Sequence, residues 1–128
     1  MMSKFFDIDL PFGEKYEDTL SNLLTDNTNN KIEVKTERDI WKSTGNIYIE
    51  LACREALSGL STTQSDWWAI ILTFDGAIES ISIIPTNLLK KRVKSLIKNN
   101  KAEYPVYGGD DDASIGALVP IKELLNGS

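Results

Sequence analysis

The chain contains no histidine. That absence removes Ser-His-Asp and Cys-His nucleophile systems, whose general base is an imidazole. It also removes histidine-based nuclease centres and histidine-ligated zinc, and a single cysteine, Cys53, cannot hold zinc alone. One cysteine equally excludes an internal disulfide framework and fits a reducing compartment. No apolar run approaches the length of a bilayer; residues 67–72 form one of the longest. The opening MMSKFFDIDL lacks the apolar core and cleavage site of a secretory signal. The expectation is a cytoplasmic protein with no membrane partner. Its hydrolytic chemistry would use carboxylates, lysine and a hard cation.

What is present reads as one globular domain over residues 1–128, with 41% hydrophobic and 26% charged residues. The net charge of −5 argues against a nucleic-acid partner if taken as a total. The bases are clustered, however. Lys90, Lys91, Arg92, Lys94, Lys98 and Lys101 fall within residues 90–101, which hold no acid. The acids lie elsewhere, including Asp110, Asp111 and Asp112.

Residues 12–25 read as a helix, with Tyr16, Leu20, Leu23 and Leu24 on one stripe. After a polar turn at residues 26–30, residues 31–36 alternate. Ile32, Val34 and Thr36 take one side, Glu33, Lys35 and Glu37 the other. Residues 46–52 alternate again, with Ile47, Ile49 and Leu51 inward and Tyr48 and Glu50 outward. Two further strands, 67–74 and 77–84, flank an Asp75-Gly76 turn. Pro85 suits the entry to a helix running to about Asn99. A last strand at 115–119 and a short helix at 120–125 close an α/β or α+β order.

Period-2 geometry puts Glu33 and Lys35 on one face of a strand. If strands 31–36 and 46–52 form an antiparallel hairpin centred between Trp41 and Lys42, Glu33 lies opposite Glu50 and Lys35 opposite Tyr48. Opposed carboxylates would make a cation seat, with Lys35 diagonal to Glu50. The connecting loop is long, and a one-residue slip would turn Glu50 to the wrong face.

These residues carry a resemblance. Glu33-Val34-Lys35 resembles the (D/E)xK element of the PD-(D/E)XK nuclease superfamily. Together with Thr44-Gly45-Asn46, Glu50, Ser58-Gly59 and Thr62-Thr63 it is similar to small phage-type members, and Gly13 to Glu17 resembles the first-helix G-x-x-x-E of Holliday-junction resolvases. The resemblance implies a restriction-endonuclease-like αβββαβ core, with a central mixed sheet flanked by helices. It further implies Mg²⁺ or Mn²⁺ and phosphodiester hydrolysis. Glu17 would orient a metal-bound water, Glu33 and Glu50 would be the acidic metal ligands, and Lys35 the catalytic lysine. The chain departs from the pattern in one respect: no aspartate sits on a separate strand before Glu33. Asp26 lies in the turn; Glu14, Glu37 and Asp66 are alternative acids. Branched DNA and a homodimer are the expected partners, since the chain shows no added module for reading sequence and resolving a junction takes two cuts.

The DNA contacts expected are Arg38, Trp41 and Lys42 in the loop, Ser61, Thr62 and Thr63 in a hydroxyl-rich segment, and Lys90, Lys91 and Lys94 on the basic helix. Each has an ordinary alternative. Alternating Glu and Lys decorate many solvated strand faces, basic helices are often only solvated, Trp41 could fold back on the sheet, and the hydroxyl segment could be a capped loop.

Overall fold

The computed structural model describes Glu14, Glu17, Asp18, Ser21, Asn22 and residues 30–126. Residues 1–30 and residues 31–128 form two compact units. In the first, Glu14, Glu17, Asp18, Ser21 and Asn22 are helical and exposed, as the reading of residues 12–25 requires. The apolar stripe of that helix, and Asp26, lie outside the described residues.

The second unit runs β1 (Ile32–Arg38), α1 (Ile40–Thr44), β2 (Asn46–Cys53), β3 (Ala56–Leu57), a 3-10 turn (Gly59–Ser61), β4 (Trp67–Phe74) and β5 (Ala77–Pro85). It continues with α2 (Thr86–Lys98), β6 (Glu103–Gly108), a second 3-10 turn (Asp110–Asp112), β7 (Ser114–Pro120) and α3 (Ile121–Asn126). The fold is mixed α/β. Its strands form two sheets, ordered β1-β4-β5 and β3-β2-β7-β6, where the sequence led us to expect one central mixed sheet.

The supposed hairpin of residues 31–36 with 46–52 is corrected. β1 runs parallel to β4, and β2 runs antiparallel to β7. The reason lies between them. Residues 40–44 coil into α1, and Gly45 ends it in the left-handed region at φ 75°, its N–H bonded to the Trp41 carbonyl at 2.7 Å. The chain therefore leaves β1 through a helical turn rather than a hairpin loop. It enters β2 in a different sheet.

The Asp75-Gly76 turn behaves as its sequence demands. Both residues have positive φ, 51° and 78°, the primed geometry that matches strand twist, and β4 and β5 pair antiparallel across it. On α2, Leu89, Val93 and Leu96 recur at helical spacing and are buried. They join Trp68, Ile70 and Leu72 of β4, Ile84 of β5, Ile47 and Ile49 of β2, Ala117 and Val119 of β7, Leu124 of α3 and Leu60 in one cluster. Each large side chain so buried contributes about 1.5–3 kcal/mol. This core joins β4 and β5 of the three-stranded sheet to the face of the four-stranded sheet that carries Ile47, Ile49, Ala117 and Val119. β6 was not anticipated. Glu103, Tyr104, Pro105 and Tyr107 are all exposed, so no inward apolar set marks it as a strand.

Candidate functional site

In parallel β1–β4 pairing, Glu33 sits beside Trp68, Lys35 beside Ile70, and Glu37 beside Leu72. Paired residues share a face, so the acidic-basic row lies on the side of the sheet that carries the core. Lys35 and Glu37 are half-buried and joined by an ion pair of 2.9 Å. Val34, on the opposite side, is 58% exposed. From Lys35 to Glu37 the strand is thus amphipathic in reverse: those two charges face the covered side, while Glu33 is exposed and the aliphatics Ile32 and Val34 are exposed as well. Glu33 has no hydrogen bond or ion pair among the described residues. Beside it, the buried Trp68 indole N–H also lacks a hydrogen-bond partner.

Glu50 is elsewhere. On β2, Ile47 and Ile49 point into the core, and Glu50 pairs with Gly116 on the other face. Its carboxylate is taken up internally. Ser58 donates to Oε2 and Ser114 donates to Oε1, both at 2.9 Å. The Ser114 proton being committed, the Tyr48 hydroxyl at 2.7 Å is the donor in that contact. Gly116 and Gly108 clear the space the Tyr48 ring occupies. The opposed pairing expected to bring Glu33 and Glu50 together is not formed, because their strands belong to different sheets.

The other acids divide similarly. Glu37 already pairs with Lys35, and it lies roughly 13 Å along the strand from Glu33, too far to share an ion. The Asp66 carboxylate accepts the Lys31 backbone N–H at 2.9 Å and so fixes the entry to β1. Glu14 and Glu17 are exposed helical residues of the N-terminal unit. Among the described residues, no three acidic or cysteine side chains converge as a metal-binding group. Glu33 suits a Mg²⁺ or Mn²⁺ ion as one hard oxygen donor. A complete ligand set is not present around it in the described residues.

The expected DNA contacts fare unequally. Trp41 packs against the core, and its indole N–H donates to the Thr73 carbonyl at 2.6 Å. Lys42 pairs with Glu79 at 2.5 Å and lies 4.2 Å from the centre of the Phe74 ring. Arg38 is exposed and lines a polar depression with Asp39 and Asp75. Thr63 bonds Ser65 at 2.8 Å, and Ser65 reaches the buried Thr86 hydroxyl at 3.2 Å, so this chain of hydroxyls ties the loop to the start of α2. Ser61 and Thr62 remain exposed. On α2, Arg92 donates to the Leu124 carbonyl at 2.8 Å and finishes α3. Lys90, Lys91 and Lys94 have no acidic partner among the described residues, and Lys91 and Lys94 are exposed. A pocket beside these lysines, reaching across to Tyr104, was not anticipated from the sequence. The exposed aromatic pair Tyr104 and Tyr107 was the signal available for it.

No family model, no curated protein and no solved structure matches this chain. No helix among the described residues is long and apolar enough to cross a membrane.

Proposed function

We propose that the chain is a DNA endonuclease of the PD-(D/E)XK kind, hydrolysing phosphodiester bonds with Glu33 and Lys35 at its centre. One observation carries this reading, the inverted amphipathicity of β1. A strand that merely decorates a surface turns its charges to water and its aliphatics to the core. β1 does the opposite: Lys35 and Glu37 are half-buried while Val34 is exposed. Holding charge on the covered side of a sheet is unfavourable unless the charge is paired or used. Lys35 and Glu37 are paired with each other, and the buried Trp68 indole N–H, on the residue beside Glu33, has no hydrogen-bond partner among the described residues.

Each residue then has a role. The Lys35 ammonium attracts a phosphate oxygen and offsets the charge that develops as the P–O bond breaks. Glu33 accepts the proton of an attacking water. A divalent ion would supply Lewis-acid polarisation of the phosphoryl group; its assignment as Mg²⁺ or Mn²⁺ belongs to this proposal, with Glu33 as a donor. Branched DNA cut by a homodimer is the substrate that the resemblance to junction resolvases carries.

The test is cleavage of supercoiled plasmid and of a four-way junction with Mg²⁺, Mn²⁺, Ca²⁺ or EDTA. Cleavage with Mg²⁺ or Mn²⁺ that disappears in EDTA and in Lys35→Ala, with DNA binding retained, supports the reading. Cleavage that persists in EDTA would falsify it. The incomplete ligand set favours a second reading, a DNA-binding protein that does not cut. That reading predicts salt-dependent retention of DNA and intact plasmid under every metal condition.

A further inference from the structure

The α2 positions 90, 93, 94 and 97 follow the i, i+3, i+4, i+7 rule and so form one stripe along the helix. The stripe alternates chemistry: Lys90 and Lys94 are cationic, Val93 and Ile97 aliphatic. It lines an open pocket of about 360 Å³. Leu51 of β2, Leu60, Ser61 and Tyr104 complete its lining, Ser61 and Tyr104 being exposed. Leu60 and Val93 are buried, so the floor is fixed by the core. Tyr104 is 49% exposed and lines the same pocket. No acid lines the cavity among the described residues. The volume lies in the range of small-ligand sites.

We propose that this cavity receives one unpaired nucleotide of a DNA strand, its base between the aliphatic floor and the Tyr104 ring and its phosphate on Lys90 and Lys94. The inference rests on the nuclease reading for the source of the strand. The chemistry comes from the cavity itself. An apolar floor offers a bare phosphate no partner, and two ammonium groups without acidic partners among the described residues favour an anion, so the occupant that satisfies both is flat and apolar at one end and anionic at the other. An aromatic ring in the lining selects a π-face, which every base has and an aliphatic anion lacks. A base inside a duplex cannot enter, because its faces are stacked and its edge is paired. The occupant is therefore a nucleotide already outside the stack, as at a junction, a flap or a single-stranded end.

The test uses the full chain in EDTA, with fluorescence anisotropy of a labelled short oligothymidylate, a blunt duplex of the same length and the free mononucleotide dTMP. The single strand is expected to bind more tightly than the duplex. Tyr104→Ala should weaken that binding about tenfold, while Tyr104→Phe should leave it near the parent value. Ser61→Trp, which fills the pocket from an exposed position without touching the core, should weaken it similarly. Replacing Lys90 and Lys94 by Ala should flatten the salt dependence. Displacement by dTMP alone, with no preference for the strand, overturns the assignment to DNA. Unchanged affinity in both Tyr104→Ala and Ser61→Trp, with circular dichroism showing both folded, overturns the pocket. Tyr104-dependent binding by a chain that never cleaves sinks the nuclease reading and leaves this one standing. Metal-dependent cleavage with Tyr104-independent binding does the reverse.

Discussion

The Ser114 hydroxyl donates to Oε1 of Glu50 at 2.9 Å, across 64 residues of sequence. With Ser58 on the other oxygen, the carboxylate pins β7 and the segment after β3 to β2. Such a group is worth more to folding than to a metal. Glu50→Ala should destabilise the protein by about 1–3 kcal/mol, since it strands two hydroxyls in a half-buried site. Glu33→Ala, on an exposed residue without partners, should shift stability by no more than about 0.5 kcal/mol. Urea denaturation of the two variants separates them. If Glu50→Ala melts like the parent and selectively loses metal binding, Glu50 is a ligand and its serine contacts are incidental.

The catalytic proposal predicts the reverse order for turnover. Lys35→Ala and Glu33→Gln should each lower the cleavage rate by about 10²–10³, the usual loss on removing a group that stabilises charge in the transition state. Binding measured in EDTA should hardly change. Glu37→Gln should have a smaller effect, because Glu37 holds Lys35 at 2.9 Å without needing to reach the phosphate itself. A Glu37→Gln variant as inactive as Lys35→Ala would make that carboxylate part of the reaction rather than a tether.

Trp41 supplies a third test. Its indole N–H is committed to the Thr73 carbonyl at 2.6 Å, so the ring is a strut between α1 and β4. Trp41→Phe should keep the packing, lose the hydrogen bond and destabilise by about 1 kcal/mol, with DNA affinity unaltered. A wedge inserted into DNA behaves otherwise: Trp41→Phe would be stable, and stacking would still quench or shift fluorescence of the parent on adding DNA. Titration of parent and variant with a four-way junction decides between them.

The local signals were well legible. The Asp75-Gly76 turn, the alternation of Ile47 and Ile49 against Tyr48 and Glu50, and the spacing of Leu89, Val93 and Leu96 each followed from short-range sterics and period. Pairing was not legible. Period-2 alternation says which residues share a face of one strand, but not which strand lies beside it, and a parallel partner such as β4 announces itself by no turn. The missed geometry at the candidate site follows from that. Glu33 and Glu50 are separated not by a register slip but by α1, whose five residues were read as a loop. The side of β1 that faces inward was not legible either. Alternation puts Ile32 and Val34 on one side and Glu33, Lys35 and Glu37 on the other, and no single-strand pattern says that Lys35 and Glu37 become the half-buried ones while Val34 stays exposed.

Gly116 gives the most direct check on the outer face of the four-stranded sheet. A Cβ built there would lie within 2.3 Å of the Ile49 carbonyl and 2.7 Å of the Tyr48 ring. Neither can retreat cheaply: the carbonyl belongs to the β2–β7 ladder, and the Tyr48 hydroxyl is bonded to Ser114. Gly116→Ala should therefore destabilise by about 1–3 kcal/mol or more, through overpacking rather than backbone strain. Gly45→Ala is the control, since its Cβ meets nothing within 4 Å and only the left-handed φ of 75° is penalised. That substitution should cost about 1 kcal/mol. Pairing Gly116→Ala with Tyr48→Ala should recover part of the loss, because the ring that blocks the new methyl is gone. Chemical denaturation of the two single variants and the double variant measures the coupling. Strict additivity would place Tyr48 away from Gly116, and with it the arrangement of hydroxyls that holds Glu50 off the candidate centre.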